Sequence, residues 1–531
     1  MTPTAPGSAP RPAGNAPVPL SRLADLVGEP MVGRADLVGE AVAAGSGADP
    51  EIRGVTLASG DVRPGYLYAA LPGARTHGVA HLDQAVAGGA VAVLTDPSGR
   101  DAALASGLPV CVVDDPRAVL GAVADRVYGE PSSRLTVVGI TGTNGKTTTA
   151  YLVEAGLAAA GLGTGLIGTV QTRTRGTGAD GAPTVTAFPS VRTTPEAPAL
   201  HALLATMAES GVSAVVMEVS SHALVLGRVG GLRFAAAGFT NLGRDHLDFH
   251  GDLEDYFRAK ALLFDGRAGR EVLTVDDDGG RRLAALRPDA TTVSAEGRAD
   301  WWATEVAPAD DGGSTFTLHG PGDRSWPARL RLPGRFNVAN AVLAVALLDG
   351  VGVDVGTALA GLADTVVPGR MEPVDAGQPF VAVVDYAHTP DAVATALAAL
   401  RAATPGRLIT VLGCGGDRDP GKRPAMGTAA AAGGDVLIVT DDNPRSEDPA
   451  AIRAAMLTGV QDVPAERRAG VHEVPGRRAA LAAAVRLARP GDTLLVAGKG
   501  HETGQEVAGT VHPFDDRDVL REVLAELGTH A

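Results

Sequence analysis

The chain has 531 residues, 45% hydrophobic and 20% charged, an ordinary balance for a soluble globular protein; at roughly 150 residues per domain the length suggests about three domains. Lys and Arg total 46 against 61 Asp and Glu, a formal net charge of −15, which argues against nucleic acid as the main partner and leaves room for a local basic pocket. The two cysteines, Cys111 and Cys414, lie far apart and do not read as a disulfide framework, and no run of about eighteen apolar residues reads as a membrane span, so a cytoplasmic protein with no membrane partner is expected.

In chain order, residues 1–19 are rich in Pro, Ala and Gly without a basic start and an apolar core, and are expected to be a disordered tail and not a signal peptide. Residues 20–132 form a first region, with buried strands expected at 91–94 and 110–113 between Ala-rich helical stretches, ending in a Gly-Glu-Pro-Ser-Ser linker at 129–133. A second region, 133–367, repeats strand-like runs that end on polar residues: 136–141, 212–219 ending near Glu218, 234–240 ending at Asn241, and 272–275 before three aspartates. Open α/β sheets place their ligands at such strand ends. Alternation broken by Gly and Pro suggests a small antiparallel excursion over 304–332, and helices are expected near 337–349 and 355–364. In the third region, 368–531, strands at 380–384, 408–412, 436–440 and 494–497 alternate with helical patterns, which implies a second doubly wound sheet, Rossmann-like and without a phosphate loop of its own.

Residues 136–149, Thr-Val-Val-Gly-Ile-Thr-Gly-Thr-Asn-Gly-Lys-Thr-Thr-Thr, carry the most information. A β-branched run, a Gly-rich turn and Lys-Thr suit a strand, a phosphate-cradling loop and the first turn of a helix. Gly142, Thr143, Asn144 and Gly145 would present backbone N–H groups to phosphate, with Lys146 on the outer phosphates and the Thr147 hydroxyl on Mg2+, Thr148 following. The usual pattern wants glycine where Ile140 stands, so a plain tight turn is the alternative. Glu218, at a strand end, suits a second Mg2+ contact or simply a polar terminus. The 241–251 segment, dense in His, Asp and Arg, reads as a metal or phosphate loop or as a surface turn; His246 and His250 are four apart, without a third zinc-type ligand. By residue type alone Lys260 is an exposed helical lysine, and Cys414 a small buried residue.

Taken together, Thr-Gly-Thr-Asn-Gly-Lys-Thr-Thr (141–148), Met-Glu-Val-Ser-Ser-His-Ala-Leu (217–224), Thr-Asn-Leu-Gly-Arg-Asp-His-Leu-Asp (240–248), Leu-Pro-Gly-Arg-Phe-Asn-Val-Ala-Asn-Ala (332–341) and Val-Asp-Tyr-Ala-His-Thr-Pro-Asp (384–391) resemble the Mur ligase family, in order and spacing from about 50 to 505. The resemblance implies an α/β fold of three domains: an N-terminal α/β uridine-binding domain (20–132), a central P-loop ATPase-type parallel sheet (133–367) and a C-terminal Rossmann-like amino-acid-binding domain (368–531). It implies an ATP-dependent carboxylate–amine ligase of peptidoglycan synthesis, acting through an acyl phosphate, with ATP as co-substrate and two Mg2+ ions. It also implies that Lys146 and Thr147 hold phosphate and Mg2+ with Glu218, that His246 serves a second Mg2+, and that Lys260 is carbamylated to an anionic metal ligand. Asn337, Arg370 and Asp385 match contacts to the nucleotide, Arg370 standing at the hinge before the third region. Thr193, Thr194, Ser220 and Arg228 match contacts to the UDP-sugar peptide. Ser59 matches too, although the family's flanking acid and arginine are Ala58 and Gly60 here.

The stretch Asp442-Asn443-Pro444-Arg445 resembles members that add diaminopimelate, whose distal carboxylate suits the planar fork of Arg445. Arg418, in Gly-Cys-Gly-Gly-Asp-Arg-Asp, and Gly498 and Glu502, in Gly-Lys-Gly-His-Glu, match the remaining contacts. The partners implied are UDP-MurNAc-dipeptide, diaminopimelate and ATP, and a monomer is expected. Two alternatives stay open: a Mur-type or folylpolyglutamate-type ligase with another amine, and a nucleotide-binding switch module, although no Asn-Lys-x-Asp guanine-reading motif is present.

Overall fold

The computed structural model describes residues 12–28, 49–73, 75–177, 183–188, 190, 192–246, 249–309 and 312–528. Three sheets follow one another along the chain. The first has four parallel strands in chain order, Gly54–Thr56, Tyr66–Ala70, Ala90–Thr95 and Val110–Val112. Its core runs without a break into the next region, because Leu67, Leu94, Val119 and Val123 pack with Ala202 and Ala205 of the helix Ala197–Glu209.

The second sheet has eleven strands. Its middle is a parallel run ordered Thr164–Ile167, Ala214–Glu218, Thr136–Thr141, Ala236–Phe239, Glu271–Thr274, Thr291–Ser294 and Trp301–Pro308. The inner strands of this run are covered on both faces, which explains their nearly continuous apolar sequence. Val138 and Ile140 face a core shared with the helices Lys146–Ala159 and Arg335–Gly350, while Val137 faces one shared with Ala197–Glu209. The alternation is the two-residue period of a strand. The chain runs outward from Thr136–Thr141 on one side, then returns and continues on the other, so the crevice beyond Thr141, Glu218 and Phe239 lies where the winding reverses.

The third sheet is ordered Glu372–Pro373, Val381–Asp385, Thr493–Ala497, Leu408–Leu412, Val436–Val439 and Gly470–Glu473, parallel apart from its two-residue edge strand. Its C-terminal edge therefore gathers Asp385 and the segments that begin at 413, 440 and 498.

Several expectations change. The antiparallel excursion expected at 304–332 is present and continues the main sheet: Trp301–Pro308 pairs in parallel with Thr291–Ser294, and Ser314–Gly320 and Arg324–Leu330 then extend it antiparallel. Two hairpins had no sequence expectation: Thr172–Thr177 with Pro183–Phe188, and Gly504–Val507 with Thr510–Pro513. The first contains Arg173, whose guanidinium pairs with the buried Glu154 of the Lys146–Ala159 helix. Of the expected disordered tail, 1–11 lies outside the described residues, and 12–19 is anchored. Ala13 and Gly14 donate backbone N–H bonds to Glu209 at 2.7 and 2.8 Å, and Val18–Pro19 pairs with Glu51–Ile52.

Both cysteines are buried and free. Burial pushes the Cys111 thiol up to about 11 and Cys414 up to about 12. At pH 8 neither holds appreciable thiolate, so iodoacetamide is expected to label both only after denaturation; stoichiometric labelling of native protein at pH 8 would contradict the burial. A second expectation concerns Arg477, fully buried with Asp516, which donates from Nε and Nη2 to that carboxylate at 2.7 and 2.6 Å and from Nη2 to the Ala497 carbonyl at 2.8 Å. Arg477→Met leaves the aspartate buried and unpaired, and should lower unfolding free energy by about 3–5 kcal/mol in urea titration.

Candidate active site

The strand Thr136–Thr141 ends in a loop that only glycine can shape at two points. Gly142 has φ +145°, and a Cβ there would lie 1.8 Å from the Thr240 hydroxyl; Gly145 has φ +86°, and a Cβ would lie 2.4 Å from Asn340 Oδ1. The loop is held from the neighbouring strand end. The Thr143 N–H donates to the Asn241 carbonyl and the Asn144 N–H to Asn241 Oδ1, both at 2.9 Å, and the Thr240 hydroxyl donates to the Asn144 carbonyl at 2.6 Å. The helix starts at Lys146 behind Gly145, so its first N–H groups face the crevice, as an anion site requires. Lys146 Nζ folds back onto the carbonyls of Gly142 and Thr143, each at 2.8 Å.

Glu218, at the end of its strand and 1% exposed, joins three segments. Its carboxylate accepts from the Thr147 hydroxyl at 3.0 Å and from the Thr169 N–H and hydroxyl at 2.8 and 3.1 Å. Its own backbone carbonyl accepts from Thr194 at 2.9 Å, and the Thr169 and Thr193 hydroxyls are 2.9 Å apart. The cavity on this carboxylate, about 180 Å³, is also lined by Lys146, Thr147, Ser220, Asp245, His246, Tyr256, Lys260 and Arg370. Thus Thr147, Glu218, His246 and Lys260, up to 113 residues apart in sequence, share one wall-to-wall pocket.

Lys260 is not the exposed lysine its residue type suggests: it is 1% exposed, with Nζ 4.1 Å from the centre of the Tyr256 ring. Burial, with the Lys146 charge adding to it, holds its amine well below the ordinary lysine range. Burial likewise lowers Lys146, against the pull of Glu218 and Asp245. His246, at φ +54°, is half exposed in the 241–250 loop; its ring meets the His222 and Tyr256 rings at 5.0 and 6.3 Å. His250 instead pairs with the Ser221 hydroxyl at 2.8 Å and is buried. Among the described residues no group of three or more His, Cys, Asp or Glu side chains is placed to hold a metal ion. The donors present are Thr147, Glu218 and His246, with Lys260 added only if its amine becomes an anion.

A larger cavity, about 970 Å³, opens from the loop towards the third sheet and is lined by Asn144, Gly145, Thr148, Asn337, Arg370, Asp385 and the alanine-rich face of the helix Pro390–Ala403. Asn337 donates to the Pro333 carbonyl at 2.8 Å and accepts from Asn340 at 3.3 Å. Arg370 reaches across from the third region: Nη2 lies 3.4 Å from the Thr147 hydroxyl, and its guanidinium stacks 4.4 Å from the Tyr386 ring centre. Asp385 accepts the N–H groups of Met371 at 2.7 Å and Ala387 at 2.8 Å; burial raises its carboxyl.

At the edge of the third sheet, three loops meet. Arg445, at φ +51°, donates from Nη1 to the Gly416 carbonyl at 2.6 Å and lies 3.3 Å from Glu506. It is therefore neither fully buried nor free, because the unexpected hairpin at 504–513 supplies it with an acid. Asn443 donates to Glu502 at 2.7 Å, and Gly498, φ +111°, passes so close to Asp442 that a Cβ would sit 2.6 Å from its carboxylate. Pro444 carries the turn, its carbonyl accepting from the Glu447 N–H at 3.0 Å. Arg418 is exposed on the adjoining loop, whose Asp417 carboxylate accepts from Ser446.

The remaining sequence candidates divide. Thr193 and Ser220 line the small cavity, and Thr194 and Arg228 stand behind them, Arg228 donating to the Thr194 carbonyl at 3.3 Å. Ser59 lines neither cavity and donates to Gln84 at 2.8 Å. Sequence reasoning missed Thr169, Tyr256, Tyr386, Lys499 and Glu196, which pairs with Arg117, Arg192 and Arg228. Tyr386 and Lys499 stood in stretches already singled out, 384–391 and 498–502, but a lysine between glycines gives no signal of burial.

Three family models match successive parts of the chain: Mur ligase family, catalytic domain over 51–128, Mur ligase middle domain over 140–348, and Mur ligase, glutamate ligase domain over 369–500. A UDP-N-acetylmuramoyl-L-alanyl-D-glutamate–2,6-diaminopimelate ligase of Streptomyces avermitilis is 54% identical over 499 residues, 93% of this chain and 96% of the relative. The protein of the same name in Streptomyces coelicolor is 53% identical over 97% of this chain and 98% of its own. A solved structure of a ligase so named superposes with a TM-score of 0.65 at 31% identity, covering 90% of this chain and 96% of that one.

Proposed function

The chain belongs to the Mur ligase family, and from that premise we propose that it joins diaminopimelate to the D-glutamate carboxylate of UDP-N-acetylmuramoyl-L-alanyl-D-glutamate, forming ADP and phosphate, in peptidoglycan precursor synthesis. As a family member it is an ATP-dependent amide ligase. The observation that carries the choice of amine is the Asp442–Arg445 loop at the edge of the third sheet, with Arg445 beside Gly416 and Glu502 beside Asn443. In this reading residues 20–132 hold the UDP end, 133–367 ATP and 368–531 the amine, and the protein works as a monomer in the cytoplasm. None of the helices among the described residues is long and apolar enough to cross a membrane.

The chemistry asks two anions to meet. A carboxylate oxygen attacks the terminal phosphorus and ADP leaves; the amine nitrogen then attacks the acyl carbon, phosphate leaves, and the nitrogen gives up a proton. The Thr143 and Asn144 N–H groups, expected on phosphate from the sequence, are spent on Asn241, so the Gly145 N–H, the first N–H groups of the helix and Lys146 bind the phosphates and take up charge as it shifts. Arg370, already at Thr147, adds a cation that comes from the third region, so the pocket is complete only when the two regions are together. Thr193 and Ser220, with Arg228 behind them, form the side on which the peptide carboxylate would lie, and Tyr386 keeps Arg370 from swinging away.

Hard oxygen donors at Thr147 and Glu218 suit Mg2+, and His246 with a carbamylated Lys260 would hold a second ion. Bound there, Mg2+ would screen the charge between the nucleotide and the carboxylate. The buried amine of Lys260, held well below the ordinary lysine range by its burial, supports carbamylation, because CO2 reacts with the unprotonated form.

Phosphate release with UDP-MurNAc-dipeptide should require diaminopimelate and stop with chelator. Release with lysine in its place, or without any amine, would reject the reading. Arg445→Ala should raise KM for diaminopimelate by about 10–100-fold with KM for ATP little changed, as loss of a charged hydrogen bond predicts. Lys260→Ala should lower kcat by about 10²–10³-fold, and native mass spectrometry of the parent should show one added CO2 that the variant lacks. An active variant, or a parent without the adduct, would remove the carbamate.

A further inference from the structure

Lys499 is fully buried, and all three of its ammonium protons are used within the loops that form the amine site. Nζ donates to Asn443 Oδ1 at 3.1 Å, to Glu502 Oε2 at 3.1 Å and to the Gly504 carbonyl at 2.7 Å, and lies 3.9 Å from Asp442 Oδ1. Its bond to Asn443 Oδ1 also fixes the amide, whose Nδ2 then donates to the same Glu502 oxygen at 2.7 Å. Glu502 Oε2 is thereby filled by two donors, while Oε1 makes no hydrogen bond among the described residues. Arg445 shows the complementary pattern: Nη1 is held by Gly416 and Nε faces Glu506, while Nη2 makes no hydrogen bond among the described residues.

We propose that Lys499 is a positioning residue that sets the amine specificity of this site, by holding Glu502 and Asn443 so that one carboxylate oxygen of Glu502 and one guanidinium nitrogen of Arg445 remain for the ammonium and carboxylate of a second amino-acid head. The inference rests on the functional reading above. Charge gives it direction. Lys499 and Arg445 offset two of the three acids Glu502, Glu506 and Asp442, so a zwitterionic head meets a site with one formal negative charge in excess. Removing the Lys499 charge leaves the loops more negative, which repels the distal carboxylate of diaminopimelate and favours the bare distal ammonium of lysine.

The test is steady-state kinetics of full-length K499M, E502Q and the double variant, with diaminopimelate or lysine as amine. K499M should raise KM for diaminopimelate by about 10–100-fold, the loss of a charged hydrogen bond, with KM for ATP within about twofold. Its preference for diaminopimelate over lysine should fall. Because Lys499 acts through Glu502, the double variant should lose no more diaminopimelate affinity than E502Q alone. A folded K499M with unchanged selectivity, equal rises in the two KM values, or additive losses would overturn the proposal and leave Lys499 a structural lysine. If K499M does not fold, K499Q, which keeps a donor to Glu502, is read by the same criteria. A parent that prefers lysine defeats the functional reading itself; a parent that prefers diaminopimelate, with an unmoved K499M, defeats only the role of Lys499.

Discussion

The carboxylate of Glu218 is the contact on which the rest of the site depends. A charged group buried at a strand end costs several kcal/mol unless its oxygens are bonded, and here three donors from two other segments meet it. That requirement fixes the start of the Lys146–Ala159 helix relative to the strand, through Thr147, and it fixes the wall formed by Thr169, Thr193 and Thr194, through Thr169 and the Thr194 bond to its backbone. The Thr147 side and the Thr169–Thr194 side of the pocket are thus registered to one side chain. The parallel sheet makes this possible, because adjacent strands bring Thr141 and Glu218 to the same edge.

The third region is organised by the same logic, with cations in place of the acid. Arg477 ties the Ala497 carbonyl, one residue before Gly498, to Asp516 on the last helix, and Lys499 then ties the 498–504 loop to Asn443. Each is fully buried, and each bonds backbone as well as side chains. Loops that carry binding groups are usually the mobile parts of a fold; these are cross-braced from below. Gly369 and Arg370 join the two systems. Gly369 and Gly500 pack so closely that a Cβ on Gly369 would lie 2.1 Å from the His501 N–H nitrogen, and Arg370, next in the chain, reaches Thr147. The loop at 498–504 and the loop at 142–147 are consequently linked through Gly369 and the Arg370 side chain.

Legibility differed with the range of the interaction. The phosphate loop could be read directly because its chemistry is local: Gly142, Gly145, Lys146 and Thr147 lie within six consecutive residues, and Ile140 is simply a buried residue next to the end of the strand, 0% exposed. Glu218 was legible as a position, since it ends an apolar run, but not as a hub. Lys260 and Lys499 were opaque for one reason. Composition says lysine belongs in water, and burial is decided by what packs over it: Tyr256 for the first, Asn443, Glu502 and Gly504 for the second. Arg445 was read as a waiting fork, yet Glu506 already stands beside it, because the Gly504–Val507 hairpin that brings that acid had no recognisable turn signal.

By itself, then, the sequence determined the alternation of strands and helices, the phosphate loop and the families of residues from which a ligase site could be drawn, because hydrophobic period and glycine placement are properties of neighbours along the chain. Only the tertiary structure decided which of those residues share a cavity, that Arg370 crosses to Thr147, that two lysines lie without solvent, and that residues 12–19 are anchored to Glu209 and the Glu51–Ile52 strand. These depend on contacts between segments tens to hundreds of residues apart. Such contacts form because buried charges must find partners, and no local pattern records which partner will be found.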